Sequence, residues 1–261
     1  MTKRDSGRER EPHDTGRPSP EGQRGRIEVA PADLPRRILD FAGIAAQDKI
    51  LDAPCATGDL VFKAAGSCRY AVGVDASEGR IATAATRGLE MGVDNISFQV
   101  GRIETLEFDD GTFDRVVCWN GLHHVADPPA AIREFMRVLR PLGYLAVVDT
   151  AASEDRVWRE TCNRIERSRD SSHESLLTRT QMRALISECD MNVEREIAWP
   201  VRIRFDDWMA SVVADEGTVE RTRHLLTEAQ RRKSTDLEIK VRGRSIELVH
   251  WLAAWVAVKL T

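Results

Sequence analysis

KILDAPCATGDLVFKAAGSCRYAVGVD, residues 49–75, is two short apolar runs joined by a turn-rich loop and one stretch of helical periodicity. The runs at 49–52 and 70–75 read as buried strands, bounded by polar or turn residues. Between them Leu60, Val61, Ala64 and Ala65 form a helical stripe. A strand, a loop, a helix and a second strand in so few residues predict a parallel sheet covered on both sides.

The same rhythm runs outward in both directions. Upstream, order is expected from near Ile27, with Leu34, Ile38, Leu39 and Phe41 on one helical face. Downstream, a helix after Ser77 carries Ile81, Ala84, Ala85 and Leu89, and ISFQV, FDRVVCWN and YLAVVD read as further strands. Asp127 and Pro128 make a good helix start as N-cap and first helical residue, with Ile132, Phe135, Met136 and Leu139 expected to face inward. Beyond Thr150 the alternation breaks. Helices are expected over 153–168, from Thr180 to Cys189 and over most of 205–232, with a polar loop SRDSSHES and a strand from Asn192 to Trp199. The run IELVHWLAAWVAVKL has a length that suits either a helix or a strand. Residues 1–26 hold too few apolar side chains to offset ordering entropy and read as a disordered tail, so the expected domain spans 27–261.

Bulk properties exclude several classes. With 261 residues the chain can bury one generous core, and a net charge of -4 argues against nucleic acid as the main partner. No apolar run reaches the roughly 20 residues of a membrane span. The N-terminus has no apolar secretory core, which predicts a cytoplasmic protein. Cys55, Cys68, Cys118, Cys162 and Cys189 are scattered without CxxC spacing, so neither disulfides nor a metal site is expected.

In an open parallel sheet, ligands sit beyond the carboxyl ends of the strands, where strand order reverses. Here the first strand ends in LDAPCATGDL and leads into a helix, whose free N–H groups favour an anion. Gly58 permits close backbone approach, and Asp75, ending the second strand, can accept hydrogen bonds from two ribose hydroxyls. A dinucleotide loop needs G-x-G-x-x-G, and only Gly58 stands where several glycines are wanted. S-adenosylmethionine offers a smaller carboxylate and an ammonium that Asp52 can hold. The spacing leans toward this ligand and leaves a dinucleotide open.

The segments LDAPCATGDL, VGVDAS and FDDGTFDRVVCWNGLHHVADPPAAIREFMRVLRPLGYLAVVD resemble class I S-adenosylmethionine-dependent methyltransferases. Nearest is the small-molecule group that includes the ubiquinone and menaquinone biosynthesis enzymes. The resemblance covers about residues 33–150 well and the RDSSH loop and C-terminal strands loosely. It implies an α/β fold, a doubly wound, mostly parallel, seven-stranded Rossmann-like sheet whose last strand is antiparallel. IELVHWLAAWVAVKL would then be a strand, and residues near 150–180 and 205–235 a helical lid. It also implies that Asp52, Ala53, Thr57 and Gly58 surround the methionine part of S-adenosylmethionine, with Asp75 on the ribose and Ala76 beside the adenine. Arg102 and Ile103 would touch the adenine edge, and Asn120 the cofactor where the fourth strand passes. S-adenosylhomocysteine would be the product.

Three departures stand out. Pro54 and Ala56 replace two glycines of the usual D-x-G-C-G-T-G, Arg102 stands where an acid usually contacts adenine, and RPLG replaces R-P-G-G. Arginine has no acceptor for the adenine amino group; Glu104 or a backbone carbonyl can substitute, or Arg102 can stack.

Methyl transfer asks the protein mainly to position a nucleophile and exclude water, and a histidine suits the role of base. His123 and His124 follow the fourth strand, and His173 lies in the expected lid. Each also has a structural reading as a loop anchor, as Cys55 and Cys118 have as packing residues. Trp119, Trp158, Trp199 and Trp208 can line an apolar cavity or fill the core. The expected activity is methylation of oxygen or carbon in a small apolar metabolite, quinone-like or from natural-product biosynthesis. A same-fold enzyme that binds the cofactor but performs cyclisation or dehydration is the alternative, and a non-catalytic partner subunit a second. Substrate and oligomeric state are not legible in the sequence.

Overall fold

Strands buried on both faces carry apolar side chains at every position, and consecutive ones point to opposite sides. The computed structural model describes residues 33–232 and 238–260. In it β1 (Lys49–Asp52) lies parallel between β2 (Tyr70–Asp75) and β4 (Phe113–Trp119). β3 (Ile96–Val100) adds beside β2, and β5 (Leu139–Thr150) beside β4, both parallel. β8 (Ser245–Lys259) enters antiparallel between β5 and β6 (Met191–Arg204). The order is β3-β2-β1-β4-β5-β8-β6, with β7 (Ile239–Arg242) paired to one end of β8. The doubly wound sheet with its antiparallel last strand matches the sequence reading. β7 is an addition, because IKVR is short and half charged.

Neighbouring residues divide between two cores. Leu51, Val72, Val116, Leu145 and Ala257 face one side, packed with α4 (Pro128–Val138) and α6 (Arg179–Glu188). Ile50, Ala71, Val117, Ala146 and Val256 face the other, with α1 (Leu34–Ala42), α2 (Asp59–Ala65) and α3 (Glu78–Met91). This explains why the IELVHWLAAWVAVKL run is apolar throughout: it is a strand covered on both faces. The caps are local and legible. Ser77 caps α3, Asp127 caps α4, and Thr178 with Gln181 forms a capping box on α6. One detail of α4 differs: its buried face is Ala131, Ile132, Phe135 and Val138, while Leu139 begins β5 and Met136 is half-buried.

A third core sits beyond the end of β5. Thr150 of β5 pairs with Leu252, and β8 residues 245–251 run past it to pair with β6 and β7. Against this extension pack Ile165 of α5 (Arg156–Arg169), Phe205, Trp208 and Met209 of α7 (Phe205–Met209), and Leu226 and Ala229 of α8 (Glu216–Arg231). The segments expected as a lid therefore share a core of their own at the carboxyl edge of the sheet. The tail expected over residues 1–26, the start of order expected near Ile27 and residues 233–235 of the second expected lid segment lie outside the described residues.

Candidate functional site

Strand order reverses between β1 and β4, and the loop after β1 opens at that point. It stays clamped to both neighbours: the N–H of Ala53 donates to Val117 (3.0 Å) and that of Cys55 to Val74 (2.8 Å). The Ala53–Pro54 peptide is cis, and Ala53 is fully buried. Ala56, where the usual loop has glycine, adopts the left-handed conformation with φ 48°, and Gly58 has φ 85°. A Cβ at Gly58 would lie 2.8 Å from the Phe98 ring, so this position admits no side chain. Thr57 is half-buried, and its carbonyl accepts from Arg87 (2.7 Å). The Pro54 ring leans across to Gly121, where any Cβ would run into it. The altered loop thus has a partner in the turn after β4, which sequence reasoning missed. α2 is only seven residues and carries Asp59 in its first turn, which weakens the expectation of an anion at its N-terminus.

The charge here points instead to a cation. Asp52 is buried, and its Oδ1 has no hydrogen-bond partner among the described residues. Burial pushes its carboxyl well above the usual range, and the negative charges of Asp75 and Asp59 push it further. Asp75 is anchored: Oδ2 accepts from the N–H of Ala56 (2.9 Å) and Oδ1 from that of Ser77 (2.9 Å). Arg80 lies 3.8 Å from it, another residue the sequence reading did not single out. A carboxylate offers about four acceptor positions, so Asp75 retains capacity for hydroxyl donors. An ammonium on Asp52 and hydroxyls on Asp75 fit this pair, whereas a pyrophosphate would meet acceptors where it needs donors.

The other expected cofactor residues divide. Ala76 and Asn120 are exposed at the ends of β2 and β4, and Asn120 has φ 49°. Ile103 is buried in the main core. Arg102 turns away to pair with Glu104 (2.6 Å), with its side chain largely in solvent.

The three histidines come together. After β4 the chain makes a 3-10 turn, Leu122–His124, anchored on Asp149 near the end of β5. Oδ2 of Asp149 accepts from the N–H groups of Leu122 (3.1 Å) and His123 (3.3 Å). Its Oδ1 accepts from Thr150 N–H (2.7 Å) and from His123 Nδ1 (2.5 Å). Since a carboxylate oxygen accepts, Nδ1 carries the proton, and Nε2 is the basic nitrogen of neutral His123. Burial draws its pKa down, but the charge and hydrogen bond of Asp149 outweigh that, and the net shift is upward.

The SRDSSHES loop then folds back onto this turn. The N–H of Glu174 donates to the His123 carbonyl (2.9 Å), and His124 Nδ1 lies 3.2 Å from the Ser172 carbonyl. Burial and the neighbouring His123 lower the pKa of His124. His173 stacks beside them, its ring 5.6 Å from that of His123 and 6.5 Å from that of His124. Burial lowers His173 to about 4. Around the cluster stand Asn163, Glu166 and Arg169 of α5, with Arg169 held by Glu166 (3.2 Å) and stacked over Trp208. His250 of β8 packs its ring on Trp208 and is lowered by burial. Asp149, Asn163 and Glu166 were not read from the sequence. Their only signal is polarity at positions that turn out buried.

Cys55 and Cys118 are packing residues: burial pushes both thiols up, away from the reactive thiolate. Trp199 and Trp208 are buried in two different cores, Trp119 is half-buried beside the first, and Trp158 lies in the first turn of α5. They do not form one cavity wall. Among the described residues no group of three or more His, Cys, Asp or Glu is placed to hold a metal ion, and no helix is long and apolar enough to cross a membrane.

Comparisons with known proteins place the sequence and the fold. The chain is 32% identical over 172 residues to YcgJ of Bacillus subtilis (strain 168), an uncharacterised methyltransferase, covering 66% of this chain and 68% of that one. The crystal structure of YcgJ superposes with a TM-score of 0.79 at 26% identity, over 87% of this chain and 98% of that one. Demethylmenaquinone methyltransferase of Lactococcus lactis subsp. lactis (strain IL1403) is 32% identical over 119 residues, covering 44% of this chain and 46% of its own length. The [4+2]-cyclase SpnF shares the fold, with a TM-score of 0.65 at 17% identity, over 87% of this chain and 79% of that one. Residues 44–229 match the family described as Methyltransferase domain. With that match over most of its length, the chain belongs to the methyltransferase domain family.

Proposed function

We propose that the chain is an S-adenosylmethionine-dependent methyltransferase of the cytoplasm acting on a small molecule with an apolar body, and that His123 is its base. One observation carries the assignment of the base: a buried His–Asp pair, 2.5 Å apart, at the carboxyl edge of the sheet and two strands from the Asp52 loop. Asp52 would take the cofactor's ammonium, Asp75 its ribose hydroxyls and Gly58 its close approach to the backbone. Ala53, Thr57, Ala76, Ile103 and Asn120 would border it, with Arg102 at the rim. When bound, this cofactor supplies an electrophilic methyl group.

The protein's own part is orientation and proton transfer. Asp149 holds the His123 ring with Nδ1–H inward, which leaves Nε2 to accept a proton from a hydroxyl or an acidic carbon. The third core, built from α5, α7, α8 and the β7–β8 hairpin, acts in this reading as the lid that excludes water. The demethylmenaquinone methyltransferase relative supports a ring-bearing acceptor, and a natural-product substrate fits equally. A second reading, cofactor binding with cyclisation or dehydration in place of methylation, is favoured by Pro54 and Ala56 in the loop.

Calorimetry with S-adenosylmethionine, followed by detection of S-adenosylhomocysteine in the presence of cell extract, tests the proposal. Binding that Asp75→Ala abolishes, together with turnover, supports it. Binding with substrate conversion but no S-adenosylhomocysteine selects the second reading, and no binding overturns both. A base works only when unprotonated, and the His123 pKa is raised above 6.5. Turnover should therefore fall as pH drops through a midpoint above that value. Asp149→Asn should move the midpoint down.

A further inference from the structure

Asn163 decides the protonation of His173. Its Nδ2 donates to the Arg159 carbonyl (3.0 Å), and its Oδ1 accepts the N–H of Leu176 (2.8 Å), which fixes the amide's orientation. That same Oδ1 lies 2.8 Å from His173 Nε2. An amide oxygen only accepts, so Nε2 carries the proton and Nδ1 is left as a bare lone pair. His173 is 4% exposed, and this Nδ1 is buried with no hydrogen-bond partner among the described residues. Folded proteins seldom leave such an atom unpaired.

The neighbouring ring repeats the arrangement with its nitrogens exchanged. His123 has its proton on Nδ1 and its lone pair on Nε2, and the two rings are 5.6 Å apart. Arg169 is already engaged by Glu166, the Trp208 carbonyl and Ser211. Each of the two neighbouring rings therefore offers one acceptor nitrogen, which suits a ligand with two donors. We propose that His173 Nδ1 is a specificity residue that accepts a hydrogen bond from a second hydroxyl or N–H of the substrate, beside the group His123 serves. This rests on His123 being the base, and it narrows the substrate to vicinal diols, catechols or their amino analogues.

The experiment uses the whole protein saturated with S-adenosylhomocysteine, with catechol as probe and guaiacol, its monomethyl ether, as control. Nitrogen-15 spectra of the histidine rings at neutral pH should show His173 as the Nε2–H tautomer, and catechol should shift its Nδ1 signal. Catechol should bind about ten-fold more tightly than guaiacol, the ratio that one good hydrogen bond gives. His173→Phe should bring the ratio to one. Asn163→Asp keeps an acceptor on Nε2–H, as Asp149 does for Nδ1–H of His123, so Nδ1 remains a lone pair and the preference for catechol should persist. A wild-type Nδ1–H tautomer, an Nδ1 signal that saturating catechol leaves unmoved, or an unchanged ratio in His173→Phe would overturn the proposal. Failure of S-adenosylhomocysteine to bind would count against the cofactor reading alone, since the spectrum of the free protein reports the His173 tautomer by itself.

Discussion

Asp52 and Asp149 lie at the same edge of the same sheet, near the ends of β1 and β5, and are equally buried at 2% and 3% exposed. Their surroundings are opposite. Asp149 accepts four hydrogen bonds, three from backbone N–H groups and one from His123. Asp52 has an oxygen with none among the described residues. Burial alone therefore does not separate frame from site. A carboxylate with every lone pair engaged holds the chain in place, and one left short marks where a ligand's donor belongs.

The largest test of that contrast is Asp149→Ala. It leaves the His123 ring and the turn's N–H groups without their acceptor, and should lower unfolding stability by about 3–5 kcal/mol in urea denaturation. Asp52→Asn should do the reverse: stability unchanged or slightly raised, while S-adenosylmethionine affinity falls by about 10- to 100-fold in calorimetry. If Asp52→Asn were the more destabilising change, the contrast would be inverted.

Gly121→Ala probes the loop from the opposite wall. Overlap with the Pro54 ring should cost about 1–3 kcal/mol, and Pro54→Gly should restore most of it, giving a clear coupling in a double-mutant cycle. Smallest is Leu142→Gly. Leu142 holds φ 60° in the RPLG turn, so glycine relieves left-handed strain but gains freedom when unfolded. The melting curve should register a net gain below about 1 kcal/mol.

The sequence was most informative where one local rule sufficed. Short apolar runs predicted β1 to β5, and the Asp127 cap predicted where α4 begins. The positions of Asp52, Gly58 and Asp75 followed from strand ends and one glycine. What escaped depends on partners distant in the chain. Asp149 closes YLAVVD much as Asp75 closes YAVGVD, but its role comes from a turn 26 residues earlier in sequence. Asn163 and Glu166 sit on a helix that reads as charged all round, and only the packing of the SRDSSHES loop and the third core buries them. Pro54 was visible as a departure; its compensation at Gly121 was not, because it crosses from one strand end to the next. The three histidines were legible as candidates, and their convergence needed the fold.

The insertion of β8 between β5 and β6 also sets a timetable on the ribosome. Both neighbours are made first, and from Thr150 to Ser245 the synthesis machinery needs on the order of 5–20 s at ordinary elongation rates. Through that interval β5, joined by β6 once it is made, presents an open edge of the sort that pairs wrongly with other chains. The nascent protein should therefore depend on chaperone protection until its longest strand arrives, and truncation before β8 should yield aggregates instead of a smaller working fold.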